Sequence, residues 1–288
     1  MTIPDHSALF RARAALIQLA LEEDVGEGDV TTLWTVPARS RARAVIVAKE
    51  PLVVAGIDCV RDVFRAVDPD LEVTLLAQDG ARAGAGAELA ALRGSTRSIL
   101  VGERTALNFL GRLCGTATLT RRFVDAVAGT GARIIDTRKT TPGWRLLEKA
   151  AVRAGGGSNH RIGLHDMVLV KDNHADASGG VARAAAAAME RNTQGLAVEV
   201  EVRTLRELDE VLPLGPDRVL LDNMGLETLR AAVERVRSLG EGRPETEASG
   251  NVSLGNVRAV AETGVDFISV GALTHSAPCA DVSLRVVG

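Results

Sequence analysis

The sequence predicts an α/β protein in two parts: a small β-rich N-terminal region and a C-terminal, incomplete α/β barrel. Three observations carry this. Before residue 100, short apolar or alternating runs are separated by glycine turns. After Gly131, roughly six strand-like runs alternate with helix-like runs. Those later strands are rich in Val, Ile and Leu, as strands buried on both faces are. A doubly wound sheet is the alternative arrangement. No G-x-G-x-x-G follows a strand here, which disfavours dinucleotide binding.

The elements follow in order. A first helix is expected from Ser7 to Glu23, with Ser7 as its N-cap. "DVGEGDVTT" then breaks it with glycines and acids. "RARAVIVAKE" alternates like a half-buried strand, and "LVVAGI" is a compact apolar run. "VRDVFRAV" reads as a short helix. "LEVTLLAQDGARAGAGAELAALRG" reads as strands joined by a glycine turn. That turn resembles the hairpin of lipoyl-type domains but has no lysine at its tip, so a structural role is the better reading. "VGERTALNFLGRLCGTATLTRRFVDAVAGTG" is a long amphipathic helix, interrupted near Gly115. The later strands are "RIIDT", "DMVLVKD", "LAVEVEV", "RVLLDNM", "ETEASG" and "DFISVGAL". The helices among them are "GWRLLEKAAVRAG", "GVARAAAAAMER", "TLRELDEVLP", "GLETLRAAVERVRSLG" and "SLGNVRAVAETG".

Composition excludes some functions. A net charge of −3 argues against a nucleic-acid binder. Aromatics are few and Tyr is absent, so base-stacking platforms are not expected. The three cysteines, Cys59, Cys114 and Cys279, are far apart, and none pairs with Cys or His at zinc spacing. They fit reduced thiols. No signal-peptide core and no run of about 20 apolar residues is present, so a cytoplasmic protein that does not bind membranes is expected.

Against that acidic background, residues 134–174 hold seven Lys or Arg, four Asp or Glu and three of the five His. In a barrel, polar residues at the C-terminal strand ends form the active site. Those ends carry Asp136-Thr137-Arg138-Lys139, Lys171-Asp172-Asn173-His174, Asp222-Asn223, Glu247-Ala248-Ser249-Gly250 and Ser269-Val270-Gly271-Ala272. Period-2 alternation lets Glu199 and Glu201 share one face and point inward. The predicted pocket has a cationic wall, a pair of acids, and a phosphate cradle of small residues. Some of these residues have plainer readings. Arg145, Lys149 and Arg153 recur four apart and read as a solvated helix face. Asp136 can simply pair with a neighbouring cation. "AGGGSNHR" can be a helix stop or a loop that lets backbone approach a ligand. The spacing of His165 and His174 fits no common metal site.

"EEDVGEGDVTT", "ERTALNFLGRLCGTAT", "DTRKTTPGWRLLEKAAVRAGGGSNHR", "VLVKDNH", "VEVEV", "LLDN", "EASGN" and "DFISVGALTHS" occur in this order. On these segments the chain resembles the quinolinate phosphoribosyltransferase family over nearly its full length. The resemblance implies transfer of phosphoribosyl from 5-phosphoribosyl-1-pyrophosphate to quinolinate with Mg²⁺, giving nicotinate mononucleotide, pyrophosphate and CO₂. It implies an N-terminal α/β sandwich-like domain over residues 1–112 and an incomplete, TIM-like α/β barrel over 113–273. Residues 274–288 would return to the N-terminal domain. It implies a homodimer or an assembly of dimers with shared active sites.

Carried over residue by residue, Arg138, Arg161 and Lys171 grip the quinolinate carboxylates, with His160 nearby. Arg104 reaches across from the partner subunit. Lys139 contacts the sugar donor, with Lys171 close. Glu201 and Asp222 serve the ribose hydroxyls and, indirectly, the magnesium. Ser249, Gly250, Gly271 and His275 hold the 5-phosphate, and Thr137, Ala248, Val270 and Ala272 line the same site. Lys139, Lys171, Glu201 and Asp222 are the implied catalytic residues. Three positions depart from the family pattern. Thr246 is polar within a strand, Asn251 stands where many members have glycine, and Trp144 is bulkier than usual. Rival readings are a paralogue acting on another heterocyclic acid, a Schiff-base lyase using Lys171 or Lys139, and a non-catalytic phosphosugar-binding protein.

Overall fold

The structure, a computed structural model, describes residues 6–287. The chain begins α1 (His6–Val25), α2 (Val30–Thr35), β1 (Arg41–Ala48), β2 (Leu52–Val53), α3 (Ile57–Val67), β3 (Glu72–Leu75), β4 (Arg82–Ala83), β5 (Glu88–Ser95) and α4 (Thr96–Ala126). It continues β6 (Arg133–Ile135), α5 (Arg145–Ala154), β7 (Val168–Val170), α6 (Asp172–Ser178), α7 (Val181–Arg191), β8 (Val198–Val202), α8 (Leu205–Val211) and β9 (Arg218–Asp222). It ends α9 (Leu226–Arg237), β10 (Glu245–Ser249), α10 (Val257–Ala261), β11 (Phe267–Ser269), α11 (Ala272–His275) and β12 (Val282–Val287). Two compact units result. Among the described residues, one comprises residues 122–138 and 157–272; the other comprises residues 6–121, 139–156 and 273–287.

The second of these units is built on an antiparallel sheet ordered β12-β1-β5-β3. Ile46 pairs with both Leu284 and Ala90, so the last strand lies against the first. Helix α3 turns Ile57, Val60, Val63 and Phe64 inward at helical spacing. Each such side chain contributes about 1.5–3 kcal/mol on burial. Three expectations change in this unit. Helix α1 starts at His6, so Ser7 lies inside it and its hydroxyl accepts from Arg11 (3.1 Å). Helix α2 was not foreseen; Asp29 caps it by accepting the Thr32 N–H (3.0 Å). Helix α4 runs unbroken through Gly115, where a Cβ would collide with the Pro278 carbonyl. The glycine permits close approach of another chain segment rather than interrupting the helix.

The other unit holds a six-stranded parallel sheet ordered β6-β11-β10-β9-β8-β7. It curls into an incomplete barrel whose free edges are β6 and β7. Ser158 runs parallel beside β6, with its N–H on the Ile134 carbonyl (2.9 Å). Strand register sets the inner face. Glu199 is level with Arg218, and Arg218 with Glu245; Glu201 is level with Leu220, and Leu220 with Glu247. The alternate residues Val198, Val200 and Val202 are buried on the face toward α7 and α8. This interior is strongly polar where barrels usually pack branched aliphatics. Thr246 falls on the outer face. Its N–H and hydroxyl both donate to Asp266 (2.8 Å each), which explains a polar residue in that strand.

Candidate active site

Because the six strands are parallel, their C-terminal ends face one way. Thr137 and Arg138 follow β6, Lys171 follows β7, and Glu201 lies near the end of β8. Asp222 ends β9, Ala248-Ser249-Gly250 closes β10, and Val270-Gly271-Ala272 follows β11. The barrel unit therefore gathers most of the expected site residues at one end. Lys139, His275 and Arg104 belong to the other unit. There the Lys139 carbonyl accepts the Thr274 hydroxyl (2.7 Å), His275 Nδ1 meets Ser276 Oγ (2.6 Å), and Arg104 is exposed on α4.

Lys171 Nζ lies 3.9 Å from Glu201 Oε2. Burial raises the Glu201 carboxyl above its usual range, Lys171 pulls it back, and the charges of Asp222 and Asp172 raise it further. Lys171 thus favours an ionised Glu201 in a half-buried place. Asp222 accepts the Asn223 side-chain amide (2.8 Å). Glu201 and Asp222 offer hard carboxylate oxygens from adjacent strands, a donor set suited to Mg²⁺.

Arg161 is 8% exposed and donates from Nη1 to the Met167 carbonyl (3.0 Å). Its pKa is lowered first by burial and then by the positive charge of Arg138. Two guanidinium groups held near each other in a poorly solvated place favour a bound anion.

Below them lies a buried polar cluster. The carboxylate of Asp136 accepts the His160 N–H (2.9 Å) and the Asn159 amide (2.5 Å). His160 Nδ1 accepts the Arg161 N–H (2.7 Å). Nε2 therefore carries the ring proton. It lies 2.9 Å from Glu199 Oε2 and 3.5 Å from Glu247 Oε2. Arg218 bridges Glu247 (3.2 Å) and Glu245 (2.8 Å), and stacks on Phe267, its guanidinium carbon 3.9 Å from the ring centre. Burial, then the charge of Glu199, pushes the Glu247 carboxyl up to about 8. Glu247 keeps its proton into the neutral range, and burial also raises the pKa of Glu199. His160, Glu199 and Glu247 lie close enough to hold a metal ion, but a protonated Nε2 has no lone pair to give one. A cavity of about 590 Å³ opens beside this cluster, lined by Arg133, His160, Arg161, Arg218, Glu245 and Phe267 among others.

At the ends of β9 and β10, Asn223 and Asn251 adopt left-handed backbone, and Asn251 donates its amide to Asn223 (3.1 Å). The Asn223 side chain occupies the space a Cβ on Gly250 would need. Gly250 itself sits at φ +101°. The Asn251 departure is thus part of a hydrogen-bonded turn.

The expected solvated face of α5 is corrected in part: Arg145 and Arg153 stay partly exposed, but Lys149 does not. Glu148 and Lys149 are fully buried. Glu148 accepts the Thr141 N–H (3.0 Å) and hydroxyl (2.8 Å) and pairs with Arg112 (2.8 Å). Trp144 stacks on Phe109, with ring centres 4.6 Å apart, which accounts for its size. Cys114 is buried with its thiol pushed up to about 12 by burial, as expected of a packed helix residue. Glu247, expected only as part of a strand end, lies fully buried on the inner face, and Arg218 is an unexpected member of the cluster. The signal was available, because the alternation in "ETEASG" sets Glu247 on the inner face with Ser249.

Residues 116–285 match the family described as quinolinate phosphoribosyl transferase, C-terminal domain, and residues 29–114 match its N-terminal domain. The chain is 43% identical to quinolinate phosphoribosyltransferase [decarboxylating] 1b of Nicotiana tabacum, over 94% of this chain and 81% of that protein. It is 42% identical to the probable nicotinate-nucleotide pyrophosphorylase [carboxylating] of a Synechocystis strain, over 94% and 91%. Its fold is similar to the solved nicotinate-nucleotide pyrophosphorylase of Francisella tularensis, with a TM-score of 0.89, 38% identity and 96% of both chains covered.

Proposed function

The chain belongs to the quinolinate phosphoribosyl transferase family, and from that premise we propose how its own residues run the family's reaction. The activity is decarboxylating phosphoribosyl transfer to quinolinate, making nicotinate mononucleotide for NAD biosynthesis. The observation that supports the site is the Lys171–Glu201 pair, with Asp222 at the next strand's end, together with a buried Arg161 that feels the positive charge of Arg138.

Charge balance supports this. Quinolinate carries two negative charges and the sugar donor about five. Arg138, Arg161 and Lys171 bind the two carboxylates, with Arg suited to bidentate contact. Lys139 receives the pyrophosphate. The backbone of Ser249, Gly250 and Gly271 receives the 5-phosphate together with His275. Glu201 and Asp222 would serve the ribose hydroxyls and, indirectly, the Mg²⁺. When bound, magnesium supplies charge compensation for the leaving pyrophosphate.

The bond changes follow. The C1–oxygen bond to pyrophosphate breaks, and its electron pair leaves with pyrophosphate. The sugar becomes oxocarbenium-like, and the carboxylates of Glu201 and Asp222 stabilise that positive charge. The pyridine nitrogen lone pair forms the new bond to C1. The resulting pyridinium draws the electron pair of the adjacent ring–carboxylate bond into the ring as CO₂ leaves. A proton from water then replaces the carboxylate. No covalent enzyme intermediate is needed.

The same proposal includes a homodimer, or an assembly of dimers, in which Arg104 serves the partner's site. Val30, Leu33 and Trp34 on α2 are exposed apolar residues that a partner would cover. It includes a cytoplasmic location, consistent with the buried free thiols Cys59 and Cys114. Among the described residues no helix is long and apolar enough to cross a membrane.

The test is to incubate the protein with quinolinate, phosphoribosyl pyrophosphate and Mg²⁺ and follow nicotinate mononucleotide by mass spectrometry. Product that disappears without Mg²⁺ and in Lys139→Ala or Arg104→Ala supports the reading. Binding of both substrates without product would overturn it.

A further inference from the structure

Arg161 must keep a fixed aim while Arg138 repels it. Immobilising a free Arg side chain costs rotamer entropy. Its own anchor is one hydrogen bond to the Met167 carbonyl. What fixes its backbone is the preceding residue. His160 donates its N–H to Asp136, accepts the Arg161 N–H on Nδ1, and turns Nε2–H toward Glu199. Glu199 and Asp136 are both fully buried. Asp136 stands just past the end of β6 and Glu199 lies inside the barrel, and the burial of each needs a local explanation.

We propose that Glu199 and Asp136 are positioning residues, which lock the His160 ring and backbone and thereby aim the Arg161 guanidinium at the quinolinate carboxylates. Asp136 belongs to the segment that follows β6, and Glu199 lies in β8, so the loop is gripped from opposite sides of the incomplete barrel. Ser158, beside Ile135, starts the same loop in register with β6. Both Glu199 carboxylate oxygens are buried without a hydrogen bond, so the carboxylate acts on His160 Nε2–H, 2.9 Å from its Oε2, and on its charged neighbours through charge. The proposal rests on Arg161 being a quinolinate ligand.

The experiment measures KM and kcat for each substrate in Glu199→Leu, Glu199→Gln, Asp136→Asn, Arg161→Ala and the double variant Glu199→Leu/Arg161→Ala. Leucine removes the carboxylate oxygen 2.9 Å from His160 Nε2, and glutamine puts a polar oxygen back. Glu199→Leu should raise the quinolinate KM about tenfold while leaving the phosphoribosyl pyrophosphate KM within about twofold, and Glu199→Gln should recover most of the loss. Asp136→Asn, which turns an acceptor into a donor, should shift the same KM in the same direction. If the effect travels through Arg161, Glu199→Leu adds nothing in the Arg161→Ala background. Additive effects, an unchanged quinolinate KM, or an equal rise in both KM values would overturn the positioning role while leaving the site reading intact. An Arg161→Ala enzyme with unchanged quinolinate KM would instead overturn the site reading, and the proposal with it. If Glu199→Leu does not fold, Glu199→Gln and Asp136→Asn still decide. Unchanged quinolinate KM in both overturns the proposal, and a rise confined to that KM supports it.

Discussion

Arg218 Nη1 lies 3.2 Å from Glu247 Oε2 in the middle of the barrel, and both side chains are buried. Glu247 nevertheless holds a proton up to about pH 8, because burial and the charge of Glu199 outweigh Arg218 and His160. A carboxyl raised this way binds a proton in the folded chain that it releases when unfolded. Its contribution to stability is full below its usual value of 4.5 and is lost as pH rises through about 8. Thermal unfolding should therefore show a midpoint falling between pH 5 and pH 8, and Glu247→Gln should flatten that slope. An unchanged slope would show that Glu247 ionises normally.

Arg112 and Glu148 predict a different penalty. Glu148 is fully buried, and Arg112 supplies its countercharge. Arg112→Met leaves that carboxylate uncompensated and should cost about 3–5 kcal/mol. Urea unfolding should show a lower midpoint with the same slope.

Gly250 carries a backbone requirement. At φ +101°, with the Asn223 side chain where a Cβ would go, Gly250→Ala should cost about 1–3 kcal/mol or displace the turn. The KM for phosphoribosyl pyrophosphate should rise more than that for quinolinate, since the turn is proposed to hold the 5-phosphate. Steady-state kinetics with each substrate varied in turn would show this.

Much of the site could be read because strand alternation is local. "VEVEV" placed Glu199 and Glu201 on one face, and the structure keeps both inside the barrel. The same alternation in "ETEASG" sets Glu247 on the inner face, level with Leu220. Other features depend on distant chain. Lys149 and Glu148 look solvated at helical spacing, yet Arg112, 36 residues earlier, draws Glu148 into the interior. Gly115 looks like a break until Pro278 is packed against it. Asp29 was legible as a cap, but only six residues follow it in helix, too few to show a periodicity.

The most direct measurement uses quinolinate labelled with ¹³C in its 2-carboxylate, with phosphoribosyl pyrophosphate and Mg²⁺. The account predicts equal amounts of labelled CO₂, pyrophosphate and unlabelled nicotinate mononucleotide. Phosphoribosyl product that retains the label, or turnover of nicotinate with none of quinolinate, would contradict it.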